Sequence, residues 1–159
     1  MNLAYLLIGG NMGERFKNLD NTRELISGCC GTIRQVSSVF ETSAWGITDQ
    51  PDFLNQAILL ETNFTAPELL NKLLTIEQKM GRFRGEKYGP RIIDIDIILF
   101  NQDIIDLPHL KVPHPQMQNR RFVLTPLAEI APGLVHPVLG RSMSQLLSEC
   151  ADELAVNKK

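Results

Sequence analysis

The sequence predicts an α+β fold, a mostly antiparallel sheet with helices packed on it. Three observations lead there. Apolar, β-rich runs of strand length stand at residues 3–8, 32–42, 53–62 and 91–100. Segments with helical apolar spacing separate the first run from the second and the third from the fourth. No internal repeat, charge block or low-complexity stretch divides the 159 residues. That length matches one domain at the usual ~100–200 residues, so a single domain over residues 1–159 is expected.

Leu3 to Ile8 is continuously apolar and stops at Gly9-Gly10-Asn11, as a buried strand does. Phe16, Leu19, Leu25 and Ile26 then recur at helical spacing before the stop signals Gly28 and Gly31. Thr32 to Thr42 is β-rich, residues 43–52 are irregular, and Phe53 to Thr62 reads as another strand. The clearest helix starts at Thr65, with Pro67 in the first turn and Glu68 completing a capping box. Its buried stripe is Leu69, Leu73, Ile76 and Met80, and Gly81 ends it. A polar loop runs to Pro90, followed by a strand from Arg91 to Phe100. A last helix is expected from Ser142, capped with Gln145 and carrying Leu146, Leu147, Cys150 and Leu154 inward, and residues 157–159 are expected to fray. The order β-α-β-β-α-β is that of a ferredoxin-like sandwich.

Composition narrows the function. Apolar residues make up 43% and charged residues 21%, which excludes disordered and collagen-like chains. A formal charge of −2 argues against a dedicated nucleic-acid binder, so anion recognition must be local. The opening apolar run is six residues without a preceding basic residue, short of the ~7–15 of a signal peptide or the ~20 of a membrane span. Cys29, Cys30 and Cys150 fit no metal-ligand spacing and suit a reducing cytoplasm.

The chemistry concentrates in residues 82–96. Asp94 and Asp96 alternate with Ile93, Ile95, Ile97 and Leu99. In a strand both carboxylates share one face, with Cα atoms about 6.5–7 Å apart, and the apolar set takes the other. The pair fits one or two hard divalent cations such as Mg²⁺, and equally a solvated face whose carboxylates meet Lys or Arg. Arg82, Arg84, Lys87 and Arg91 place four of the 16 basic residues within ten positions beside them. Cations next to a carboxylate pair describe a site for a polyphosphate held with its metal. Neither a Walker pattern nor a kinase glycine loop is present.

The stretch Lys87-Tyr88-Gly89-Pro90-Arg91-Ile92-Ile93-Asp94-Ile95-Asp96 resembles the defining segment of the 6-hydroxymethyl-7,8-dihydropterin pyrophosphokinase family. Supporting motifs are Asp49-Gln50-Pro51-Asp52-Phe53-Leu54-Asn55, Val112-Pro113-His114-Pro115, Asn119-Arg120-Arg121-Phe122 and Pro126 to Pro132. The resemblance implies a Mg²⁺-dependent enzyme that moves the pyrophosphoryl unit of ATP to the hydroxymethyl group of the dihydropterin, releasing AMP. It assigns two Mg²⁺ ions to Asp94 and Asp96, and the triphosphate to Arg82, Arg84, Lys87, Arg91, His114 and Arg120. Catalysis falls to Arg82, Arg91, Asp94 and Asp96. Adenine falls near Leu70, Ile97 and His109, Leu110 and Lys111. The pterin falls between Phe53 and Phe122, with Asn55 reading its edge and Thr42 and Trp45 beside it. Strand alternation independently puts Phe53 and Asn55 on one face. His109 and His136 read as solvated or structural. The implied protein is a cytoplasmic monomer without nucleic-acid or membrane partners. The competing reading is a non-catalytic nucleotide- or pterin-binding regulatory domain, which the same scaffold would allow.

Overall fold

The computed structural model describes residues 1–43, 50–81 and 92–159. Its strands are β1 (Asn2–Gly10), β2 (Thr32–Val36), β3 (Phe40–Thr42), β4 (Phe53–Thr62), β5 (Asp94–Phe100), β6 (Ile105–Leu107), β7 (Leu110–Val112) and β8 (Val156–Lys158). Its helices are α1 (Arg15–Cys29), α2 (Ala66–Lys79), α3 (Arg121–Ile130) and α4 (Met143–Glu149). The main sheet runs β5-β1-β4-β3-β8, with β2 also on β4, and every pairing is antiparallel. Taking β2 and β3 as one interrupted strand, this is the predicted ferredoxin-like arrangement. The hairpin β6-β7 is a separate small sheet.

Strand alternation gives the sheet two working faces. Ala4, Leu6 and Ile8 of β1, Leu54, Ile58 and Leu60 of β4, and Ile95 and Ile97 of β5 pack with Leu19, Ile26, Leu69, Leu73 and Ile76 of α1 and α2. Each such Leu or Ile contributes about 1.5–3 kcal/mol when fully buried. Leu7, Ala57, Ile98 and Leu99 pack instead with Val123, Leu124 and Leu127 of α3 and Met143 and Leu146 of α4. Among the described residues no helix is long and apolar enough to cross a membrane.

Local signals explain the best-anticipated elements. Thr65 Oγ1 accepts from Glu68 N and Glu68 Oε1 from Thr65 N, closing the capping box of α2. Ser142 and Gln145 do the same for α4. Gly81, at φ +85°, ends α2 in a conformation that favours glycine.

Other expectations need correction. Phe16 is exposed, and Thr22 takes a buried place on α1. The run 32–42 is broken at Ser37, whose Oγ accepts from Ala57 N while Gln56 Nε2 donates to its carbonyl. Leu99 is not on the face of Ile95. A register shift in the β1–β5 pairing, between Tyr5 and Leu6, leaves Ile98 without an opposite residue, and Leu99 follows it onto the α3 face. α4 stops at Glu149, so Leu154 lies on the irregular segment between α4 and β8. Residues 157 and 158 belong to β8, which pairs with β3, and Lys159 N donates to the Val39 carbonyl.

His136 is structural. It is buried, and its Nδ1 accepts from the backbone N–H of Val138 and Leu139 at 3.1 and 3.0 Å. Burial holds its pKa below the ordinary 6.5. The unfolded chain therefore takes up the proton first, and the stability tied to neutral His136 is lost as pH falls from about 6.5 through the folded value. Urea denaturation at pH 7.5 and pH 5.5 should show lower stability at the acidic pH. His136→Asn, which keeps an acceptor but does not titrate, should reduce that difference.

Candidate active site

At one end of the sheet β1 finishes, β4 and β5 begin, and β3 ends beside β4. The register sets Asn55 and Asp94 on either side of Gly9, and Phe53 opposite Thr42. Phe53, Asn55, Asp94 and Asp96 share the α3 face of the sheet by alternation. A cavity of about 360 Å³ opens there. Thr42, Phe53 and Asn55 line it from β3 and β4, Asp94, Asp96 and Ile98 from β5, and Arg120, Phe122 and Val123 from the start of α3. His114 closes one side, and Leu70, Leu74 and Glu77 of α2 reach it past the outer edge of β5.

Gly9 is required by this geometry. A Cβ there would stand 2.5 Å from the Leu54 carbonyl and press on Asn55 Oδ1. The missing side chain lets the Asn55 amide lie over β1, where it is buried yet faces the cavity. The rim is held by Asn11, whose Nδ2 donates to Gln50 Oε1 and the Pro51 carbonyl at 2.7 and 2.9 Å. Arg15 donates to the Asp52 carbonyl and pairs with Glu41. These bonds fix the chain as it enters β4.

Asp94 and Asp96 are half-buried on a polar strip of an otherwise apolar strand. His114 is placed by its own N–H, which donates to the Ile98 carbonyl at 2.9 Å, and its Nδ1 accepts from Gln116 N at 3.2 Å. Burial, then the Arg120 guanidinium, push its pKa below the usual value, against an opposing pull from Asp94. A neutral ring with Nδ1 as acceptor carries its proton on Nε2 and presents a donor. Arg120 stands 5.8 Å from the centroid of the Phe122 ring, within cation–π range. Glu77 is buried, and its Oε2 accepts from Ile95 N at 2.7 Å, fastening α2 to β5.

Of the residues singled out from sequence, Leu70, Thr42, Phe53, Asn55, Asp94, Asp96, His114, Arg120 and Phe122 meet at this cavity. Ile97 and Leu110 lie in the α1–α2 core, His109 is exposed, and Lys111 pairs with Asp106, none of them on the cavity wall. Trp45, Arg82, Arg84, Lys87 and Arg91 lie outside the described residues. Sequence reasoning missed Glu77, Leu74 and Leu154. Leu70, Leu74 and Glu77 repeat at four and three residues, a legible second stripe on α2. Leu154, expected on the inward face of a last helix, carried no local signal of this place, which depends on the pairing of β8 with a strand over a hundred residues earlier.

The sequence profile of the 7,8-dihydro-6-hydroxymethylpterin-pyrophosphokinase family matches residues 5–132. The chain belongs to this family. It is 42% identical over 147 residues to the 2-amino-4-hydroxy-6-hydroxymethyldihydropteridine pyrophosphokinase of Synechocystis sp., covering 92% of this chain and 75% of that protein. The proteins of the same name from Bacillus subtilis and Pseudomonas aeruginosa are 43% and 39% identical, over 81% and 94% of this chain and 78% and 93% of theirs. In fold the chain is similar to the Plasmodium falciparum HPPK-DHPS crystallised with pteroate, with a TM-score of 0.78 at 18% identity. That match covers 93% of this chain and 42% of the Plasmodium chain, so the family fold is one part of a longer protein there.

Gly9→Ala tests how tightly the row is built. The added methyl meets backbone as well as the Asn55 amide, and overpacking of this kind costs about 1–3 kcal/mol. Chemical denaturation should show a loss in that range.

Proposed function

We propose that this chain transfers the pyrophosphoryl group of ATP to the hydroxymethyl group of 6-hydroxymethyl-7,8-dihydropterin, releasing AMP, as a step of folate biosynthesis. The observation that carries this reading is one cavity lined at once by two kinds of group. A carboxylate pair, an arginine and a histidine share it with two phenylalanines and a buried amide.

The donor set fits Mg²⁺. Asp94 and Asp96 offer hard oxygen ligands on one strand face, and among the described residues no group of three or more His, Cys, Asp or Glu is gathered for a metal. Two carboxylates with water and phosphate oxygens complete the shell that Mg²⁺ prefers. When bound, the two ions supply charge neutralisation on the triphosphate. The Nε2–H of His114 and the Arg120 guanidinium would donate to phosphate oxygens, and Arg82, Arg84, Lys87 and Arg91 are assigned there by the sequence resemblance. Phe53 and Phe122 would hold the pterin ring, and Asn55 supplies a donor and an acceptor for its edge. The Thr42 hydroxyl donates to the Ala155 carbonyl at 2.8 Å, and Thr42 and Trp45 are assigned beside the pterin by the sequence resemblance. Leu70 marks the adenine side, to which Ile97, His109, Leu110 and Lys111 are assigned by resemblance.

The substrate oxygen attacks the β-phosphorus and the bond to AMP breaks, so positioning and charge stabilisation carry the rate. We read the chain as one domain acting as a monomer in the cytoplasm, the reducing compartment that its free cysteines suit.

Product analysis decides the reaction: AMP must appear with the pterin diphosphate, and release of ADP or pyrophosphate would replace this reading. Asp94→Ala and Asp96→Ala should each abolish turnover while leaving the apo fold intact, checked by circular dichroism and steady-state assay. Phe53→Ala and Phe122→Ala should each weaken pterin binding by ~1–3 kcal/mol, with ATP affinity unchanged by titration.

A further inference from the structure

The carboxyl-terminal segment reaches the cavity. After α4 the chain returns to the start of α3, where Asp152 Oδ2 accepts from Arg121 N at 3.0 Å and the Asp152 carbonyl from Arg121 Nε at 3.3 Å. Arg120, at the N-cap, makes no side-chain cap bond. Asp152 therefore satisfies a first-turn N–H that the helix cannot, and its charge suits that helix end. Phe122 is the next residue along. The other Asp152 oxygen, Oδ1, accepts from Leu154 N at 3.0 Å, turning the chain so that half-buried Leu154 joins the cavity wall with Thr42, Phe53 and Phe122. Ala155 then receives the Thr42 hydroxyl, and Val156 pairs with Thr42. Lys158 and Lys159 pair with Glu129 and Glu41. One short segment thus ties the α3 wall to the β3 wall and adds an apolar side chain between them.

We propose that residues 152–158 form a wall of the pterin end of the cavity, with Leu154 a binding residue that packs on the ring and Asp152 a positioning residue that sets Phe122. This rests on the reading of that end as the pterin site.

The test uses the full chain with a saturating non-hydrolysable ATP analogue and Mg²⁺, titrated with oxidised 6-hydroxymethylpterin, alongside KM and kcat. Leu154→Ala should raise the pterin Kd about tenfold, the scale of lost apolar contact in a pocket, with ATP-analogue affinity and kcat at saturating pterin retained. Leu154→Asn, of similar volume, should do the same, and Leu154→Met should restore binding. Asp152→Ala should raise the pterin KM rather than lower kcat, with Asp152→Asn, which keeps one acceptor oxygen, in between. A pterin Kd unchanged in Leu154→Ala and Leu154→Asn but raised in Phe122→Ala would overturn the inference and leave the pterin site standing. A Kd unchanged in all three would overturn both. Parallel loss of pterin and ATP-analogue binding would overturn it too, since the segment would then be supporting the fold as a whole.

Discussion

The cleft depends on the register of β1 between its two neighbours. Gly9 lies opposite both Asn55 and Asp94, so one row across three strands carries an amide, a gap and a carboxylate. Two residues back, Leu7 lies opposite Ala57 and Asp96. In that row Ala57 is buried in the α3–α4 core while Leu7 and Asp96 still border the cavity, so the same face passes from core to open site over two rows about 6.6 Å apart at the usual rise. A one-residue slip of β4 or β5 would turn the polar set into the α1–α2 core. That core, lined by Ile8, Leu54, Ile95 and Leu69, has no room for a charge. The hydrophobic demand of one face thus fixes the chemistry of the other.

Electrostatics follow from that placement. Two carboxylates on neighbouring pleats of an apolar strand are costly to bury. They are half-buried at the strand's open end, where water and ligands reach them. His114 meets the opposite condition. Its Nδ1 is committed to a backbone N–H, and burial and Arg120 both favour the neutral ring, so it acts as a donor without adding charge.

Legibility in the sequence followed the range of the interactions. The capping boxes of α2 and α4 were readable because each is closed within four residues. The common face of Asp94 and Asp96 was readable because alternation is local. The opposite fate of Leu99 was not, since a bulge shows only in the pairing of β5 with β1. Val156-Asn157-Lys158 has no β-rich pattern of its own and becomes a strand through β3. Leu154 was mistaken for a helical residue because its four-residue spacing from Cys150 continues a pattern that the extended backbone of Cys150 interrupts. The polar loop 82–91, which carries most of the charge argument, was legible only as composition and resemblance.

Sheet edges present unpaired backbone groups that a stable protein must cover. Here the covering and the site are built by the same bonds. On the outer edge of β5, Ile95 N is taken by the Glu77 carboxylate and the Ile98 carbonyl by His114 N, and both side chains line the cavity. On the other side β3 is covered by β8, whose approach brings Leu154 to the cavity wall. β8 is itself only three residues long and ends in Lys158, with Lys159 directly after it, a short charged strand poorly suited to recruit another chain. Protecting the edges thus draws α2, the segment before α3 and the carboxyl terminus to the end of the sheet where Gly9 has left space. A cavity walled from widely separated parts of the chain is the outcome of satisfying the backbone there.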